Sequence, residues 1–252
     1  MTRQAWASRG DRAPLSNQVA LFFGRRFFCL TMGVLYRLQL EGREHIPPRG
    51  PLIVVANHQS YLDPILLGML AWTRTFRAMA KSSLFRFGPF GRLISLFGAL
   101  PVDQHKGDLA TIRVAIDEVN AGHAVIIYPE GGRTRDGRVR PFQRGFQVIL
   151  KRTRAPVLPV TIEGAYDVWP AGRPLPRLSG RIIVRAHPVI PHEAFVGAGA
   201  ERNIEALRRT IEARRLALRQ EIRQRSRGRF PVEASGDLPA WEGPPPIGST
   251  EA

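Results

Sequence analysis

An α/β domain, with a largely parallel central sheet flanked by helices, is the fold class that this 252-residue sequence predicts. Three observations carry the prediction. Short apolar runs rich in Val and Ile, such as Leu52-Ile53-Val54-Val55-Ala56, have the length of buried strands rather than of helices. Segments of helical period fall between these runs, which is the pattern of strand–helix–strand units. Polar, turn-forming residues stand where two of the runs stop, at the edge where open parallel sheets bind ligands.

Taken in order, residues 1–16 are polar and expected to be a flexible N-terminus. Residues 17–44 read as an amphipathic helix, or a pair, lying on or dipping into a bilayer. Arg25 and Arg26 near the middle of the apolar stretch argue against a true span, because each central arginine costs roughly 2.5–3.5 kcal/mol on insertion. They also interrupt the run that a signal peptide would need. A terminal helix packed on the core is the competing reading.

A Pro-Gly loop, Ile46-Pro47-Pro48-Arg49-Gly50-Pro51, leads into the strand 52–56. A helix over 64–72 follows, then a strand over 76–80 ending in Lys81. The segment 84–97 is apolar and Phe-rich but broken by Gly88-Pro89 and Gly91; it could border an acyl-chain groove or be a core helix. Residues 100–102 form a short strand, and 108–121 a helix with Ile112, Ala115, Ile116 and Val119 on one face. A strongly buried strand, 124–128, precedes a helix over 142–151, and strands follow at 157–162 and 181–184. Residues 201–227 form a long helix with an apolar stripe amid arginines, either a basic membrane-surface helix or a solvated outer one. The domain is therefore expected to span 45–229, with a disordered Pro/Gly-rich tail over 230–252.

The net charge of +16 and pI near 11.4 predict partners that carry negative charge. Nucleic acid is not expected: the arginines are not interleaved with exposed aromatics, and no helix-turn-helix or RNA-binding signature occurs. A hydrolase lacks support because there is no Gly-x-Ser-x-Gly elbow. A non-catalytic protein of anionic membranes stays open as an alternative class. The single cysteine, Cys29, excludes an internal disulfide and any cysteine-based metal cluster, and no metal site is expected.

Two constellations carry chemistry. In Asn57-His58-Gln59-Ser60-Tyr61-Leu62-Asp63, the histidine and the aspartate stand five residues apart. A helix would separate them by about 140° around its axis and a strand would point them to opposite faces, so only a turn can bring them together. Asp63-Pro64 supplies such a turn as an N-cap followed by proline, and a carboxylate-oriented histidine is equipped as a general base. A plain helix cap with an idle histidine is the bland alternative. The second constellation, Tyr128-Pro129-Glu130-Gly131-Gly132-Arg133-Thr134-Arg135-Asp136-Gly137, has the form of a phosphate cradle, unless it is only a tight loop with solvated arginines. Both follow strands, so His58 and the glycine–arginine loop are expected to face one cleft.

These motifs resemble the signatures of the glycerolipid acyltransferases of the lysophosphatidic-acid acyltransferase type. Residues 57–63 look like the first signature and Tyr128–Thr134 like the third, with Gly132 and Thr134 in place of the usual Thr and Ser. Gly98–Gln104 matches the second loosely, with Gln104 where arginine is usual, and 157–162 looks like the apolar fourth. The resemblance implies acyl transfer from an acyl thioester, acyl-CoA or acyl-carrier protein, to the hydroxyl of a lysophospholipid, with no other cofactor. It implies His58 as base, Asp63 as its orienting partner, and Glu130, Gly131, Gly132 and Arg133 as holders of the acceptor. Lys81 and Arg144 fall where the family carries further basic residues. The implied partners are an anionic membrane surface and the lipid acceptor, at the cytoplasmic face of the cell membrane.

Overall fold

A computed structural model describes residues 15–71, 74–86, 88, 91, 94–95, 98–102 and 107–239. Gln104, the remainder of the apolar 84–97 segment and residues 1–14 and 240–252 lie outside the described residues.

Among the described residues, helix α1 (Leu15–Tyr36) comes first, followed by strand β1 (Gln39–Glu41) and strand β2 (Leu52–Ala56). Helix α2 (Asp63–Leu70) leads to β3 (Phe76–Lys81) and β4 (Ala99–Val102). Helix α3 (Gly107–Asn120), strand β5 (Ala124–Ile127), helix α4 (Arg144–Arg152) and strand β6 (Val157–Glu163) complete the alternation that the sequence predicts. A short helix α5 (Ala165–Val168), strand β7 (Ile183–Ala186) and the long helix α6 (Ala200–Arg225) follow.

The strands form one sheet in the order β1-β7-β6-β2-β5-β3-β4. Five of them, β6-β2-β5-β3-β4, run parallel, and β7 lies antiparallel to β6 with β1 beside it. Alternate residues of β2 point to opposite faces, as a pleated strand requires. Leu52, Val54 and Ala56 join a core with α2, while Ile53 and Val55 join a second core with α3 and α4. Both faces of β2 are thus sealed, which is why its sequence is continuously apolar rather than alternating.

The chain leaves β2 through α2 on one face and β5 through α4 on the other. The loops after these two neighbouring strands therefore part to opposite sides and open a crevice at their carboxyl ends.

Three expectations are corrected. The segment 17–44, expected as one amphipathic helix or a pair, is one helix, then a strand and a 3-10 turn (Arg43–His45); β1 pairs with β7 and belongs to the domain. Phe28, Cys29, Met32, Leu35 and Tyr36 of α1 pack on the core, while Phe23, Phe27, Leu30 and Val34 stand exposed on the opposite side. Both faces of the helix are apolar. Among the described residues, no helix is long and apolar enough to cross a membrane.

Helix α6 exposes an outer face with Glu201, Arg202, Gln220, Gln224 and Arg225, as a solvated outer helix would, but its arginines are not all on that face. Arg208, Arg215 and Arg219 are buried, Arg215 paired to Glu212 and Glu163, and Arg219 to Glu163, Asp167 and Asp237. A guanidinium enters a core only when its donors are met by carboxylates; Glu212 lies one turn away on α6 itself, while Glu163, Asp167 and Asp237 come from other elements, beyond the reach of helical periodicity.

The first ten residues of the expected disordered tail are ordered. Residues 230–239 are folded back: Phe230 packs on Ile183, Leu218 and Ile222, and Asp237 takes Arg219 and Arg223.

Candidate active site

The turn after β2 closes through Asp63. Its Oδ2 accepts the amides of Gln59 at 2.6 Å and Ser60 at 2.7 Å, and lies 2.8 Å from Nδ1 of His58. Asp63 is fully buried; the His58 ring keeps an opening of 12%. The aspartate is not the helix cap of the bland reading. It is the first residue of α2, Leu62 is the N-cap, and its bonds go back to the turn instead of into the helix. With Nδ1 donating to this carboxylate, Nε2 carries the free lone pair.

The ring of His58 stacks on Tyr128 with centroids 4.0 Å apart and an interplanar angle of 14°. Tyr128 is the first residue of the glycine–arginine segment, so this stack joins the two constellations. Burial pushes the Tyr128 hydroxyl well above its ordinary pKa, with the Asp63 carboxylate adding to the shift, so it stays neutral.

Glu130 joins the loops a second time. Its Oε1 accepts the His58 amide at 2.7 Å and its Oε2 the Arg140 amide at 2.8 Å. Both carboxylate oxygens are spent on the main chain, and the residue is 1% exposed. The expectation that Glu130 holds the acceptor is therefore replaced: it clamps the histidine turn to the loop. Burial raises its pKa to about 8, against the opposing pull of the two amides. The Thr134 amide donates to the His58 carbonyl at 2.8 Å, a third tie.

Arg133 reaches across to the turn, donating from Nε to Ser60 O at 3.3 Å, with its guanidinium 4.1 Å over the Tyr61 ring. Gly131 adopts φ +70°, where an L side chain is strained, while Gly132 has no such requirement. Arg144 opens α4 and Lys81 ends β3; both are exposed and stand on the carboxyl side of the sheet, Lys81 two strands from β2. The structure brings His58, Asp63, Glu130, Gly131 and Arg133 into one ensemble, and it shows no contact of Lys81 or Arg144 with it.

Sequence reasoning gave no role to several residues that build the site. Asn57 clips the turn to β6 by donating to Ile162 O and accepting the Ile162 amide, both at 2.8 Å. Gln59 donates to Gly137 O and to Glu163. Trp169 stands 5.3 Å from Tyr61, and its carbonyl accepts Ser60 Oγ at 2.7 Å. Asn57 and Gln59 lay inside the quoted motif; Trp169 carried no signal, because its partner is over a hundred positions away in the chain.

Known proteins resemble this chain in sequence and in fold. Residues 37–163 match the Acyltransferase family. A chloroplastic 1-acyl-sn-glycerol-3-phosphate acyltransferase of Brassica napus is 27% identical over 154 residues, covering 60% of this chain and 44% of that one. The human 1-acyl-sn-glycerol-3-phosphate acyltransferase alpha is 31% identical over 176 residues, covering 68% and 61%. The chain thus spans roughly half the length of the curated relatives it matches. The crystal structure of the 1-acyl-sn-glycerophosphate acyltransferase PlsC from Thermotoga maritima superposes with a TM-score of 0.64 at 29% identity, covering 78% of this chain and 80% of that one.

Proposed function

Because the chain belongs to the acyltransferase family, we propose that it moves a fatty acyl group from an acyl thioester to the free hydroxyl of 1-acyl-glycerol-3-phosphate, forming phosphatidic acid. The donor is acyl-CoA or acyl-carrier protein. The observation that carries this reading is the His58–Asp63 pair, 2.8 Å apart, tied through Glu130 and Thr134 to a loop that presents Arg133.

The hydroxyl of the acceptor attacks the thioester carbonyl directly. His58 Nε2 takes its proton as the new C–O bond forms, and returns it to the thiolate when the C–S bond breaks. Asp63 fixes the tautomer and offsets the transient positive charge on the ring. Tyr128 backs the ring, leaving Nε2 as the edge that meets substrate. Arg133 with the amide of Gly132 receives the acceptor phosphate on the turn that Gly131 closes through its amide to Tyr128 O, and Lys81 and Arg144 add positive potential at the same edge. Glu130 positions both loops.

The exposed apolar face of α1 and the basic surface support work at an anionic membrane, with the cytoplasmic face as the proposed location. The test is a panel of lysolipids with labelled acyl-CoA and acyl-carrier protein, scored by product; a lyso-aminolipid or another head group as preferred acceptor is the alternative it separates. His58→Ala should lower kcat by ~10²–10⁴ with unchanged unfolding temperature, and Asp63→Asn should follow it. Full turnover in His58→Ala would refute the mechanism.

A further inference from the structure

Between α5 and β7 the chain makes an excursion that the catalytic reading leaves without a task. Residues 171–179 are exposed apart from a half-buried Pro176, contain two leucines, two arginines and two prolines, and have no acidic side chain. Leu175 and Leu178 are 72% and 77% exposed, more than Phe23, Phe27, Leu30 or Val34 of α1. Rigid prolines and clasped ends mean that they are held out rather than left loose.

The clasps define where the excursion sits. At its start, Ser60 bridges to Pro170, Ser60 Oγ donates to Trp169 O, and Trp169 Nε1 donates to Arg173 O at 2.9 Å. At its end, the Arg177 amide donates to Val168 O at 3.0 Å and Arg177 O accepts the Tyr36 hydroxyl of α1 at 2.9 Å. One side thus holds the turn that carries His58, and the other holds α1.

Beside it lies a basic cluster. Arg177, Ser179, Gly180, Arg181, Phe230 and Pro231 line a shallow hollow, together with Asp167, whose carboxylate is engaged by Arg219. Arg37, Arg225 and Arg229 stand close enough to act on Arg181: desolvation, and then the repulsion of these three guanidiniums, lowers its pKa. No described ion pair involves Arg37, Arg173, Arg177, Arg181 or Arg229. Like charges gathered in excess of Asp167, which Arg219 engages, and of Glu221, which pairs with Arg225, next to projecting leucines, complement a surface that is anionic at its rim and apolar beneath.

We propose that residues 171–179 and the arginine cluster around Arg181 form a bilayer-contacting foot. Leu175 and Leu178 enter the headgroup boundary, the guanidiniums take phospholipid phosphates, and the turn at Ser60 is thereby seated against the membrane that supplies the acceptor. This rests on the reading of the protein as a lipid acyltransferase. It goes beyond α1 by assigning the contact to a second element, one joined directly to the catalytic turn.

The experiment compares the full chain with Leu175→Ser/Leu178→Ser and with Arg177→Ala/Arg181→Ala, none of them in the catalytic machinery. Each is assayed on a short-chain lysophosphatidate dispersed as monomers, and on a long-chain acceptor in phosphatidylcholine vesicles rich in phosphatidylglycerol. Since each basic residue near an anionic leaflet contributes about fivefold to binding, either pair should weaken vesicle sedimentation by at least about tenfold. Turnover in vesicles should drop with it while turnover on the monomers holds. A dye on Leu175→Cys, with Cys29→Ala, should shift to the blue on adding these vesicles. Unchanged vesicle affinity in both pairs, or no dye shift, would overturn the foot. Wild-type protein inactive on every acceptor would instead sink the acyltransferase reading and leave the binding result to stand by itself.

Discussion

At the scale of single residues, the site depends on main-chain amides as much as on side chains. Asp63 gathers two amides and an imidazole nitrogen onto one oxygen, and Glu130 spends both oxygens on amides from two loops. The two adjacent glycines separate under the same logic. Gly131, at φ +70°, strains any replacement by roughly 1–2 kcal/mol; Gly131→Ala should cost about tenfold in acceptor kcat/KM. At Gly132 an added Cβ would meet Arg140 Nη1 at 3.6 Å, an ordinary contact, so Gly132→Ala should stay within about threefold. Steady-state kinetics with lysophosphatidate reads both, and equal losses would contradict the loop geometry. The residue types at 58, 63, 131 and 133 were legible in the sequence. That Glu130 points inward was not, because its partners are amides and amides leave no mark on a sequence pattern.

Among the elements, α6 shows most clearly how a local pattern can mislead. Its arginines read as a solvated or membrane-facing surface, yet Arg215 is wholly buried between Glu212 and Glu163. Glu163 in turn accepts from Gln59, and Glu212 accepts the Val139 amide, so the helix supports both active-site loops from behind. Arg215→Ala leaves the buried Glu212 without its ion-pair partner and Glu163 with Arg219 alone, and should destabilise the fold by about 3–5 kcal/mol. Urea unfolding measures this; a loss within error would show the pair to be solvated. The strands behaved differently. Buried from both faces, β2 and β5 announce themselves as continuous apolar runs and β6 as one broken only by Thr161 before its terminal Glu163, whereas the three-residue β1 has no periodicity to read.

For the molecule as a whole, the edge of the sheet away from the site carries a pH dependence. His187 follows β7, lies 2.9 Å from Thr161 Oγ1, and is held neutral by burial and by the positive charges of Arg214, Arg185 and His45, which lower its pKa from 6.5 to about 3. Between these values the unfolded chain binds a proton that the folded chain refuses. Stability therefore falls as pH drops from 6.5 towards 3, and the penalty is absent above 6.5. His187→Gln should flatten the fall in unfolding temperature between about pH 6.5 and 4 relative to the parent, most of the difference appearing at the acid end. Parallel pH profiles would show that His187 ionises freely in the fold.

The sheet, its parallel character and the two loops that make the crevice can be read from the residues alone, because strand burial, turn chemistry and motif spacing are local and repeat along the chain. That β7 runs antiparallel, that α1 offers an apolar face on each side, and that 230–239 folds back onto α6 emerge from the folded chain. Each of these rests on contacts between residues remote in the chain, whose free energy depends on what is buried opposite and not on the segment that is buried.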